Sequence, residues 1–132
     1  MRRRHINVGI AAAAVVAAVA VCTAQQAAFK RTEVQRIDLS APGREAVMVV
    51  ADIPTGATSG RHTHPGEEVA YVMDGAIVLD VAGKSPVTLK AGQGFVIPAG
   101  VPHSATNKAS APARVLANYI IEKGKPIATP AP

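Results

Sequence analysis

The stretch GATSGRHTHPGEEVAYVMDG, residues 56–75, decides how the rest of the chain is read. Its histidines, His62 and His64, stand two apart in a segment of extended character. In a strand, residues i and i+2 point to the same face, so both imidazoles can converge on one point. Pro65-Gly66 then breaks the strand. Glu67 and Glu68 open a second run, Val69-Ala70-Tyr71-Val72-Met73, whose β-branched and aromatic residues read as another strand. A carboxylate at its start can swing back to the same point. The two glutamates face opposite sides of that strand, Glu68 with Ala70 and Val72, Glu67 with Val69, Tyr71 and Met73.

A second stretch, GQGFVIPAGVPHSATN at residues 92–107, carries another histidine just after a Pro-rich turn. The chain has 4 histidines, His5, His62, His64 and His103. Apart from His5, near the N-terminus, all of them sit in these two stretches.

Together the two stretches resemble the cupin family. Its first motif, G-x5-H-x-H-x3-E-x6-G, is met by Gly56, His62, His64, Glu68 and Gly75. Its second, G-x5-P-x-G-x2-H-x3-N, is met by Gly92, Pro98, Gly100, His103 and Asn107. Two full motifs in order are a far more specific signal than a lone short pattern. The resemblance spans residues 34–121 and implies an all-β fold, a single jelly-roll barrel. It also implies that His62, His64, Glu68 and His103 bind one divalent metal, the motif spacing selecting Glu68 over Glu67. Three imidazoles and a carboxylate without sulfur suit a first-row ion: iron, manganese, nickel, copper, cobalt or zinc. A structural zinc site more often is closed and favours cysteine.

The N-terminus is a different kind of sequence. Arg2-Arg3-Arg4-His5 precedes an apolar Ala- and Val-rich run at residues 8–21, and Cys22-Thr23-Ala24 supplies small residues. Residues 1–24 therefore read as a secretory signal, cleaved before Gln25. An uncleaved anchor competes, but the run is short against the roughly 20 apolar residues of a spanning helix. Acylation at Cys22 also competes, and Val21 is large for the position before an acylated cysteine. Cleavage implies an exported protein, periplasmic or secreted, with no stable membrane insertion. The chain's only cysteine would leave with the leader.

Lys and Arg outnumber Asp and Glu by 14 to 9. Three of those basic residues are Arg2, Arg3 and Arg4, so the remainder is nearly balanced. That is no basic stripe for nucleic acid. Aromatics number four, Phe29, Tyr71, Phe95 and Tyr119, too few for a base-stacking surface.

Residues 25–33 read as a lead-in, and Val34 onward as an edge strand. Residues 45–53 alternate, with Val47, Val49, Ala51 and Ile53 on one face. Asp74-Gly75 signals a hairpin, with residues 76–81 as the return strand. Residues 113–121 form the last strand, with Val115, Ala117, Tyr119 and Ile121 on one face. Residues 122–132 read as a flexible tail. Eight to ten short strands with regular turn signals, and no helical period beyond the leader, fit a barrel or double-sheet sandwich. The glycines at 56, 75, 92 and 100 are read as turn devices, and Asn107 as a cap. Arg61, Asn118 and Tyr119 are placed near the barrel mouth.

The expected function is that of a metal-dependent dioxygenase or related oxidoreductase acting on a small organic molecule. A non-redox isomerase, lyase or decarboxylase is the second reading. A non-catalytic metal or small-ligand binding module is the third. Edge strands invite pairing, so a homodimer is expected.

Overall fold

The computed structural model describes residues 27–132. The residues read as a secretory signal, with Cys22 and the expected cleavage point, lie outside the described residues. Ten strands follow in order: β1 (Lys30–Asp38), β2 (Arg44–Ile53), β3 (His62–Thr63), β4 (Gly66–Asp74), β5 (Ala76–Val81), β6 (Val87–Lys90), β7 (Gly94–Ile97), β8 (His103–Thr106), β9 (Ala113–Glu122) and β10 (Thr129–Pro130). The described residues contain no helix.

The strands build two five-stranded antiparallel sheets, ordered β1-β2-β9-β4-β7 and β10-β3-β8-β5-β6. Only β1–β2 and β5–β6 are neighbours both in sequence and in a sheet. Every other link carries the chain from one sheet to the other, which is jelly-roll topology. The inward faces follow the period of two. Val47, Val49, Ala51 and Ile53 of β2 are buried, as are Val115, Ala117, Tyr119 and Ile121 of β9. Ile77, Leu79 and Val81 of β5 face them from the second sheet. Each such Val, Leu or Ile contributes about 1.5–3 kcal/mol on burial.

Asp74-Gly75 is a corner and not a hairpin. β4 pairs with β7 and β9, whereas β5 pairs with β6 and β8. Gly75 has φ +72°, and a Cβ there would lie 2.4 Å from the Pro112 carbonyl oxygen. A turn signal reports that the chain reverses, and here it reverses into the opposite sheet. Gly66 likewise does more than end a strand. It opens β4, paired with Ile121, and a Cβ on it would come within 1.9 Å of the Ile120 carbonyl oxygen.

The chain's flanks differ from the sequence reading. β1 starts at Lys30, inside the stretch read as lead-in, and its register slips between Glu33 and Gln35. Thr129 and Pro130, in the stretch read as tail, pair with Thr63 and His62. Both flanks thereby reach the region around His62.

Candidate metal centre

The two motif stretches are stitched together by backbone bonds. Gly56 N–H donates to the Asn107 carbonyl at 2.8 Å, and Asn107 N–H donates to Ala57 at 2.9 Å. At the other end, Gly100 N–H donates to the His64 carbonyl at 3.0 Å. The Pro98–Pro102 turn is thus fastened to the backbone that carries His64. β3 and β8 meet with His62 opposite His103. Glu68 enters from β4, on the buried face with Ala70 and Val72. Val69, Tyr71 and Met73 occupy the exposed face, and Glu67 lies with them.

His62, His64, Glu68 and His103 are all buried, none more than 6% exposed. The ligand atoms of the three histidines lie within 4.8 Å of one another. Nε2 of His62 and Nε2 of His64 are 3.2 Å apart. Oε2 of Glu68 is 3.1 Å from Nε2 of His64 and 3.1 Å from Nε2 of His103. Each histidine turns its other nitrogen outward to a backbone carbonyl: Nδ1 of His62 to Gly60 at 2.8 Å, of His64 to Ile127 at 2.5 Å, of His103 to Val101 at 2.9 Å. A carbonyl accepts, so each Nδ1 carries the proton. In the neutral ring, Nε2 is then left with an inward lone pair.

The result is a buried group of acceptors with the spacing to share one cation. Three Nε2 lone pairs and one carboxylate oxygen face each other at contact distance. A proton on Nε2 of His64 or His103 would satisfy part of this. A divalent transition ion would satisfy all of it, and the donor set fits one. Burial alone would raise the Glu68 carboxyl; with a proton on Nε2 of His103 and His64, hydrogen bonds from those rings outweigh burial and hold the group down at about 2. Burial pushes His62 down to about 4, against the pull of the Gly60 carbonyl, so it stays neutral and free to coordinate.

Around this group the wall is apolar, with Ala51, Ile53, Leu79, Phe95 and Val115 facing the cavity. Tyr119 packs its ring on His64, centroids 4.5 Å apart. Burial, with the Glu68 charge, pushes its hydroxyl up to about 12, so it remains a neutral donor. Of the three residues placed near the mouth from sequence, only Tyr119 lines the cavity. Asn118 instead donates to the Val69 carbonyl outside, and Arg61 approaches Asp80. Sequence reasoning missed Phe29, Arg31 and the Ile127 carbonyl. Arg31 Nη2 lies 3.1 Å from His62 Nε2, and its guanidinium sits 4.7 Å over the Phe29 ring. An aromatic and an arginine two apart on the face of an extended run were the available signal.

Asn107 is the other buried polar residue of the second motif. Its amide donates to the Ile53 and Ala111 carbonyls, both at 2.8 Å, and its oxygen accepts from Ala109 N–H at 2.9 Å. It is a cap that pins the loop before β9 to the end of β2.

Comparison with known proteins agrees with this architecture. Residues 49–119 match the model of a cupin domain. The HTH-type transcriptional regulator PuuR of Escherichia coli is 36% identical over 79 residues, which cover 59% of this chain and 42% of that protein. The chain therefore spans less than half of that regulator. A conserved double-stranded β-helix protein from Klebsiella pneumoniae superposes with TM-score 0.63 at 20% identity, covering 76% of this chain and 84% of that one. Recombinant oxalate oxidase in complex with glycolate superposes with TM-score 0.63 at 23% identity, covering 77% and 54%. These superpositions describe a shared barrel. With both motifs complete, the strands in jelly-roll order and more than half its length matched by the domain model, the chain belongs to the cupin family.

Proposed function

We propose that this chain is an exported, metal-dependent cupin in which His62, His64, Glu68 and His103 hold one divalent transition ion, and that it acts on a small organic molecule as a dioxygenase or related oxidoreductase. The convergence of three Nε2 lone pairs and the Glu68 carboxylate at one buried point supports the reading. An ion held by these four side chains would supply Lewis-acid or redox chemistry at that point. The chain's own residues supply the rest. The apolar wall excludes water, the outward Nδ1 bonds keep the imidazoles aimed, and the neutral Tyr119 hydroxyl can donate to a bound oxygen atom of the substrate.

Nucleic acid is outside this reading, since the charge is nearly balanced once Arg2, Arg3 and Arg4 are set aside. The barrel is taken to pair as a homodimer through the β1 edge, where Val34 and Ile37 are exposed. Elemental analysis of untagged protein is expected to find one transition ion per chain. Dioxygen uptake with small organic substrates is then the deciding measurement. Turnover without dioxygen uptake would replace the oxidoreductase with a lyase or isomerase, and binding without product would leave a ligand-holding module.

A further inference from the structure

Arg31 is a half-buried cation with no anion beside it among the described residues. The ion-paired cations among the described residues meet carboxylates: Arg36 with Glu33 and Glu45, Arg61 with Asp80, Arg114 with Asp52 and Asp74, Lys123 with Asp38, Lys125 with Glu122. Arg31 has no carboxylate partner among the described residues. It reaches inward from β1, stacks on Phe29 and places Nη2 at 3.1 Å from His62 Nε2. Its Nε is buried with no hydrogen-bond partner at all. A buried donor left unmade is costly, and more so on a charged group.

Two features make this arrangement more than a plug. Nε and Nη2 lie on one edge of the guanidinium, the edge that grips a carboxylate through two parallel bonds. Nη2 is now spent on the same His62 lone pair that faces the other Nε2 atoms. Seating an ion on that lone pair must turn Arg31 away, which frees both nitrogens of the edge together. One guanidinium, one carboxylate and a divalent ion also leave the cavity with excess positive charge. The space beside these groups is small, about 20 Å³ for the centre of a water-sized body. That is room for about one water.

We propose that Arg31 makes this a site for a small carboxylic acid, held by its carboxylate on the Nε–Nη2 edge while another of its oxygens faces the histidine group. The inference rests on the metal reading above and adds the substrate's charge and size class. A compact acid of a few carbon atoms enters as Arg31 and Phe29 swing off the mouth. Phe29 precedes β1 and Arg31 is its second residue, at the start of a strand bonded within the chain to β2 alone.

The test is calorimetric and uses zinc, lactate, its neutral amide and inorganic phosphate as probes. Zinc is titrated first into the parent protein and into Arg31→Gln and Arg31→Lys. The variants should bind zinc at least as tightly as the parent, because the competing donor to His62 is gone or shortened. Lactate is then titrated into each zinc-loaded protein. The parent should prefer lactate over lactamide and over phosphate. Arg31→Gln should weaken lactate by about tenfold or more, the scale of a charge-assisted bond, and leave lactamide unchanged. Arg31→Lys should fall between, keeping the charge and losing the fork. A parent that takes no zinc overturns the metal reading and this inference with it. A parent that takes zinc but binds lactate and lactamide alike, or phosphate as well as lactate, overturns the carboxylate assignment alone. So does an Arg31→Gln protein with parental lactate affinity. A variant that loses zinc would make Arg31 a structural support of His62 and overturn the proposal.

Discussion

Two buried polar regions flank β8, and they are built on opposite rules. Asn107, just past its C-terminal end, is fully enclosed and has every amide hydrogen-bonding partner it needs from backbone. His103, at its start, faces His62, His64 and Glu68 in a group where acceptors meet acceptors. The first is complete within the chain and serves the fold. The second, on the metal proposal, is completed by a cation, and three backbone carbonyls, of Gly60, Val101 and Ile127, hold its imidazoles in that arrangement. Burial and polarity are the same in both. What separates structure from function is whether donors and acceptors balance.

The comparison can be broken most forcefully at Asn107. Asn107→Ala strands three backbone groups and leaves a void, and should cost about 3–4 kcal/mol of unfolding free energy by denaturant titration. If the loss is below about 1 kcal/mol, the cap is not structural.

His103→Ala should do the reverse. It removes a ligand while the turn stays fastened by the Gly100–His64 bond, so the barrel folds and zinc affinity falls at least about a hundredfold by calorimetry. In the parent, zinc at a hundredfold excess over its dissociation constant should add about 2.7 kcal/mol of stability, and the variant should lose that gain. Glu68→Gln should also weaken zinc, whereas Glu67→Gln, on the outer face, should not. The opposite ranking of the glutamates would overturn the ligand set.

Deleting residues 126–132 removes the Ile127 carbonyl from His64 Nδ1 and should weaken zinc by about tenfold, the scale of an outer partner that orients a ligand. Unchanged affinity would show that His64 needs no such support.

A separate test is the pH response of the metal-free protein. His62 has its folded value pushed down to about 4 by burial. The unfolded chain then takes up this proton first, so stability should fall as pH drops from about 6.5 toward 4. Glu68 is held down at about 2, so its contribution is full above the ordinary carboxylate value and is lost as pH falls toward 2. Thermal melts across that range should decline in both windows, and His62→Gln should remove the upper one.

Much of the site was legible because the motif residues are close in sequence and the period of two sorts faces. That logic set Glu68 and Glu67 on opposite faces, with the cupin motif selecting Glu68 as the inward one, and it grouped the residues that form the buried faces of β2 and β9. What stayed hidden depends on pairing between distant segments. Arg31 is set by the β1–β2 register, in which Arg31 opposes Ala51, and the slip after Glu33 upsets any simple alternation. Ile127 reaches His64 only because Thr129 pairs with Thr63. Asp74-Gly75 was misread because turn chemistry is local and carries no label for the sheet that receives the next strand.

Gly66 opens β4 where β9 leaves no room for a side chain. Its consequence lies in the folding rate. β4 lies against β9, and β9 in turn lies on β2, far earlier in sequence. Such long-range pairing makes folding slow. Glu68, two residues beyond Gly66, reaches the histidines only through such long-range pairing. Metal capture would then act as the final latch of folding, and its rate would report how quickly the barrel closes.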